Sequence, residues 1–284
     1  MTDRFPYVIN GVAEPDIATA FFSSMGHFDI ESLLKCRLAC KTWRDAIDRH
    51  TPLWSRVSLM KAVQDNRMDI CQLIVEHAKD KNPQDENGIT PLHDAARYGR
   101  TDICLLIMDR IEDAKDKNPK EKYGVTPLHL AIMNENTDTF RLIMDRVEDV
   151  NPMSEMGPWE SLTPLHWAAS SGHLEICRQI IDRIENKNPG SPAGNTPLHW
   201  AAECGQVDAY RLIMDKVENK NPADQDGHTP LHRAAYFGHL ETCRLILDVA
   251  EDKNPVDNFG RTPLDLAQGE GEEEICHLIR SKLS

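Results

Sequence analysis

Thr163-Pro164-Leu165-His166-Trp167-Ala168-Ala169 decides the reading of this chain, because its first four residues keep returning. Thr-Pro-Leu-His also starts at Thr90, Thr126, Thr196 and Thr229, and Thr262-Pro263-Leu264-Asp265 differs only in its last residue. Successive threonines lie 36, 37, 33, 33 and 33 residues apart. Such a period marks a stack of small units, each burying its apolar face against the next. The tetrapeptide itself reads as a helix start. The Thr hydroxyl caps the helix, and Pro takes the first helical position, where a missing N–H costs nothing. Leu opens the buried face, and His is placed to bond backbone near the cap.

Working outward, the first helix of each unit ends near a glycine, as at Tyr98-Gly99, Ser171-Gly172 and Phe237-Gly238, where positive φ is cheap. A second helix follows. In His173–Ile181 the apolar residues Leu174, Cys177, Ile180 and Ile181 fall at the spacing of one buried stripe. Each unit then closes on Asn-Pro, at Asn82, Asn118, Asn151, Asn188, Asn221 and Asn254, where proline is expected to stop the helix and start an extended finger. Two irregularities stand out. Thr90 to Asn118 spans 28 residues instead of 25, an insertion near Ala114-Lys115-Asp116, and Asn151 to Thr163 spans 12 instead of 8, a longer finger over Met153–Ser161. A unit without the Thr-Pro signature precedes Thr90, since Ser58–Cys71 aligns with Pro91–Cys104 at a step of 33. The last unit, with Glu270, Glu272, Glu273 and Glu274, presents a polar end suited to capping the stack.

Composition narrows the class of protein. Of 284 residues, 40% are hydrophobic and 27% charged, as in a folded soluble protein, and no apolar run is long enough to span a membrane. The N-terminal residues lack the order of a secretory signal, so a cytoplasmic or nuclear location is expected. Cys71, Cys104, Cys177, Cys243 and Cys276 occupy one repeat position, filled elsewhere by Phe140 and Tyr210. A position that accepts Cys, Phe or Tyr is core, and these thiols are read as small hydrophobes. The net charge is −14; residues 1–58 are balanced, and the remainder holds 25 basic against 39 acidic groups. That excess disfavours nucleic acid and favours basic or apolar protein surfaces. The tetrapeptide histidines His93, His129, His166, His199 and His232 have no second ligand beside them and are read as structural. No catalytic cluster or phosphate loop is present, so no enzyme, metal or cofactor is expected.

The Thr-Pro-Leu-His-x-Ala-Ala run at Thr90–Ala96 and Thr163–Ala169 resembles the ankyrin repeat family. The fold implied is an all-α solenoid over 58–284 with about seven helix-turn-helix units and short finger hairpins. In that family the finger tips and the ends of the first helices line a binding groove. By resemblance those positions hold Arg97, Tyr98, Tyr123, Met133, Trp159, Tyr236, Phe237, Phe259 and Arg261. Aromatic, Met and Arg side chains are the usual anchors of interfaces. Trp167 and Trp200, which follow the tetrapeptide His, are read first as filling space between units.

Residues before Ser58 do not fit the repeat. Pro15–Met25 reads as a helix, Gly26 as a turn, and a longer helix runs from about Ile30 to Ile47, with Leu33, Cys36, Cys40, Trp43 and Ile47 as one apolar stripe. Leu33-Leu34-Lys35-Cys36-Arg37-Leu38-Ala39-Cys40-Lys41-Thr42-Trp43-Arg44 resembles the second half of an F-box. Pro15, Ile17, Phe21-Phe22 and Met25 resemble its first half, and Glu14 stands where that family has Leu. The resemblance implies a three-helix module over 13–57 that binds the Skp adaptor of a cullin–RING ubiquitin ligase through Pro15, Ile17, Phe21, Leu33, Leu34 and, less distinctly, Trp43. The whole chain then reads as a monomeric adaptor between ligase and an unidentified substrate protein. A plain ankyrin scaffold or inhibitor is the alternative.

Overall fold

The computed structural model describes residues 59–78, 80–112, 117–155 and 161–283. The F-box-like segment with Pro15, Ile17, Phe21, Leu33, Leu34 and Trp43 lies outside the described residues. So do the insertion around Ala114 and Trp159 of the long finger.

Among the described residues the chain forms seven helix pairs. They are α1 (Leu59–Gln64) with α2 (Met68–His77), α3 (Pro91–Arg97) with α4 (Thr101–Met108), and α5 (Pro127–Met133) with α6 (Thr137–Met144). Then come α7 (Pro164–Ser171) with α8 (Leu174–Arg183), α9 (Pro197–Glu203) with α10 (Val207–Met214), α11 (Pro230–Tyr236) with α12 (Leu240–Val249), and α13 (Pro263–Glu270) with α14 (Glu273–Leu283). First helices pack on neighbouring first helices, and second on second, so each unit touches mainly the units before and after it. No described helix is long and apolar enough to cross a membrane.

Helices this short are marginal alone and hold through packing. Their buried residues form one continuous core from Leu59 to Ile279. Cys71, Cys104, Cys177, Cys243, Phe140 and Tyr210 are wholly buried, and Cys276 is buried as well. Burial pushes the Cys104, Cys177 and Cys243 thiols up to about 12, so they behave as hydrophobes rather than nucleophiles. Leu174 departs from its expected place. It is 37% exposed, and Ile176 joins Cys177, Ile180 and Ile181 in the buried stripe instead. Helical side chains lean toward the N-terminus. At the first position of α8, Leu174 therefore leans beyond the packed layer.

The start of each Thr-headed first helix follows the expected cap, and the five with His add a tie between units. Thr163 and His166 form a capping box in which the His side chain accepts from the Thr163 backbone N–H (3.1 Å to Nδ1). With Nδ1 accepting, the proton sits on Nε2, which donates to the carbonyl of Asn195 in the next unit at 3.1 Å. His93, His129, His199 and His232 repeat the arrangement onto Val125, Leu162, His228 and Arg261. Asp265 keeps the cap through Thr262 (2.8 Å) and makes no such tie.

Asn-Pro does not terminate the second helix; α8 ends at Arg183, before Asn188. The side chain of Lys187 closes that end by donating to the Ile184 carbonyl, and Lys220 does the same on Val217 at 2.7 Å. The asparagine acts on the next helix instead. Its side-chain oxygen accepts the backbone N–H of the tetrapeptide Leu, as Asn188 does from Leu198 (3.2 Å) and Asn151 from Leu165 (2.8 Å). In the last unit the Asn254 side-chain oxygen is buried without a partner.

Candidate functional site

The fingers between units are turns closed by one acidic or hydroxyl side chain five to nine residues before the next unit's Thr. Asp257 accepts from the backbone N–H groups of Phe259 (2.9 Å) and Arg261 (2.8 Å), and its own N–H donates to the Arg261 carbonyl. Asp85, Glu121 and Asp224 hold their fingers in the same way. Adjacent fingers are stitched by backbone bonds, Lys122 N–H to Asn87 C=O and Asn258 N–H to Asp226 C=O, both 2.9 Å. Glycine is required at the tips. Gly227 has φ +79°, and a Cβ there would lie 2.9 Å from the Asn258 nitrogen.

This scaffold displays the residues assigned to the groove. Tyr123 and Phe259 sit at finger tips, Tyr98 and Phe237 cap α3 and α11, and Met133 and Tyr236 end α5 and α11. Phe259 is 64% exposed, and Tyr98, Tyr123, Tyr236 and Phe237 are each more than two-fifths exposed. These five are all the exposed aromatic side chains among the described residues. Met133 is 40% exposed. Tyr236 and Phe237 meet edge to face with centroids 5.0 Å apart. Lys122 lies over Tyr123 at 5.5 Å, and the Arg261 guanidinium over Phe259 at 5.0 Å. Arg97 is half-buried at the end of α3. Trp167 packs against the core, as the space-filling reading has it, and the Trp200 indole N–H is buried without a partner.

A polar chain that sequence reasoning missed runs along the same face. Arg233, the residue after the tetrapeptide His, reaches Glu203 (3.0 Å) and the buried Asp224 (3.2 Å). Asp224 lies 3.8 Å from His228 Nδ1, and His228 Nε2 lies 3.2 Å from the buried Asp257. Arg261 closes the chain on Asp257 through Nε at 2.9 Å. Burial works against the charged form of Asp257, but the Arg261 backbone N–H and guanidinium outweigh it and hold the carboxyl below its ordinary value. The signal available was the acidic residue five before Thr229 and Thr262. Its partners His228, Arg233 and Arg261 lie four to nine residues ahead, and only the His228–Asp257 contact crosses to the next unit.

The exposed aromatic side chains stand at finger tips and first-helix ends, and no cluster of metal-ligating groups occurs among the described residues. The sequence matches ankyrin repeats (3 copies) over residues 20–119, 59–154, 148–224 and 212–283. The chain belongs to the ankyrin-repeat family. No curated protein matches it. Ankyrin repeats bind partner proteins in general.

Proposed function

We propose that this ankyrin protein is the substrate-recognition adaptor of a Skp–cullin–F-box ubiquitin ligase. The groove holds the substrate, and the segment over 13–57 holds the Skp adaptor. The observation that carries the binding half is the confinement of exposed aromatic side chains to the finger-tip and first-helix-end face. The ligase half is supported by sequence alone: the order and spacing from Leu33-Leu34 to Cys40 and Trp43. The adaptor performs no chemistry. Tethering substrate beside the ligase raises its effective concentration and makes transfer local. The protein then works in the cytoplasm or nucleus, where that machinery acts.

A pull-down of the purified chain against recombinant Skp adaptor tests the ligase half, with Leu33→Asp/Leu34→Asp as control. Binding lost in the control is the expected result; a folded chain that ignores Skp leaves a plain ankyrin scaffold or inhibitor. One observation favours that second reading: the first ankyrin match begins at residue 20, inside the F-box-like segment. For the groove, Tyr236→Ala with Phe237→Ala should weaken a captured client about tenfold or more while thermal unfolding hardly moves. A large drop in unfolding temperature would show these rings to be structural.

A further inference from the structure

The groove face changes character along the stack. At its N-terminal end the aromatic side chains have cations of their own. Arg97 adjoins Tyr98 in sequence, and Lys122 stands over Tyr123. At the C-terminal end Phe259 keeps the Arg261 guanidinium at 5.0 Å, while no cation pairs with the Tyr236 and Phe237 rings among the described residues and carboxylates stand at the neighbouring positions. Counted from the unit threonines, Asp226 and Phe259 hold the same position, three residues before Thr229 and Thr262, and the Asn258-to-Asp226 backbone bond of 2.9 Å brings these tips side by side. Phe237 and Glu270 likewise share the position eight residues after the threonine, at the ends of packed first helices. Packed helices lie roughly 8–10 Å apart, so each exposed ring has a carboxylate within reach of one long side chain.

Most acids on this half are already satisfied. Glu203 and Asp224 hold Arg233, Asp257 holds Arg261, and Asp265 holds the Thr262 cap. Among the described residues Asp226 and Glu270 make no ion pair, and Glu270 is exposed. The exposed Tyr236 and Phe237 rings and the unpaired carboxylates one unit away attract a cationic side chain twice over, through charge and through the ring face. Arg261 over Phe259 shows that the chain itself uses this pairing.

We propose that the C-terminal half of the groove takes an arginine- and lysine-bearing segment of a partner protein, its apolar side chains against Tyr236, Phe237 and Phe259 and its cationic heads at Asp226 and Glu270. This rests on reading the face as a partner-binding groove, and it adds the sign of the partner. The acidic excess of the repeats works in the same direction by steering basic segments toward the array.

The test is to pan a random dodecapeptide library on the full chain, with counter-selection on the Tyr236→Ala/Phe237→Ala variant. Selected peptides should be enriched in Arg and Lys and depleted in Asp and Glu. Their affinity should fall about tenfold with Asp226→Lys/Glu270→Lys and stay level with Lys120→Glu/Lys122→Glu. Neutral or acidic selected peptides overturn the charge assignment, as does affinity indifferent to Asp226→Lys/Glu270→Lys, and both leave the groove standing. A library that cannot tell the wild-type chain from Tyr236→Ala/Phe237→Ala overturns the groove reading itself.

Discussion

Asp265 stands where five other units carry His, and the difference follows from what each side chain reaches. The imidazole spans from its own Thr cap to a carbonyl of the following unit, whereas the Asp265 carboxylate serves its cap alone. His166→Asp should therefore cost more than about 3 kcal/mol, because it breaks the inter-unit bond and buries a charge. Asp265→His should stay within about 0.5 kcal/mol, because the Thr262–Asp265 cap is exposed. Urea unfolding of the two variants checks the pair. Glu135 is a second case. It sits at φ +59°, the left-handed position that Gly99, Gly172, Gly205, Gly238 and Gly271 hold in other units. Glu135→Gly should stabilise by about 0.5–1 kcal/mol, since relief of the backbone strain exceeds the entropy lost by a freer unfolded chain. No change in the midpoint would show that neighbours already absorb the strain.

At the scale of the element, the finger is where local sequence and function meet. Asp257 holds the loop, orients Arg261 and so places that guanidinium over Phe259. Asp257→Ala should cost about 2 kcal/mol, from two backbone N–H groups left without their acceptor, and should weaken peptide binding at the C-terminal half of the groove. Calorimetry and anisotropy on the same variant separate the two effects. Asp257→Asn, which retains an acceptor oxygen, should recover most of the stability. First-helix boundaries were legible because Thr-Pro and the glycine positions are local signals. The second-helix ends were misread. Asn-Pro looked like a stop, yet lysine caps the carbonyls and asparagine reaches forward to the next helix. That error has a physical cause, since a side chain that bonds ten residues ahead leaves no mark in helical periodicity.

For the whole array, the five histidines couple stability to pH. Burial holds His129 and His166 down at about 4, and it lowers His93, His199 and His232 as well. In the unfolded chain these groups take up protons near pH 6.5, so between there and about 4 the unfolded state binds more protons and stability falls as pH falls. Each proton contributes about 1.4 kcal/mol per pH unit across its window. Thermal unfolding should drop steeply from pH 7 to 5 and flatten below about 4 as far as these groups are concerned; a midpoint level over that range would show that protonation is accommodated in the fold. The repeat period and caps determined unit number and the starts of the first helices, because these follow from backbone geometry within about 35 residues. The choice of Tyr98, Tyr123, Tyr236, Phe237 and Phe259 as one binding face came instead from the family resemblance. Tertiary structure alone decided the histidine ties, the asparagine clasps and the chain from Glu203 through Arg233 and His228 to Arg261. The histidine ties and the Arg233–Glu203 and His228–Asp257 contacts join residues about one unit apart, which become neighbours only when the units stack. The asparagine clasps reach a backbone N–H that only the folded finger brings near.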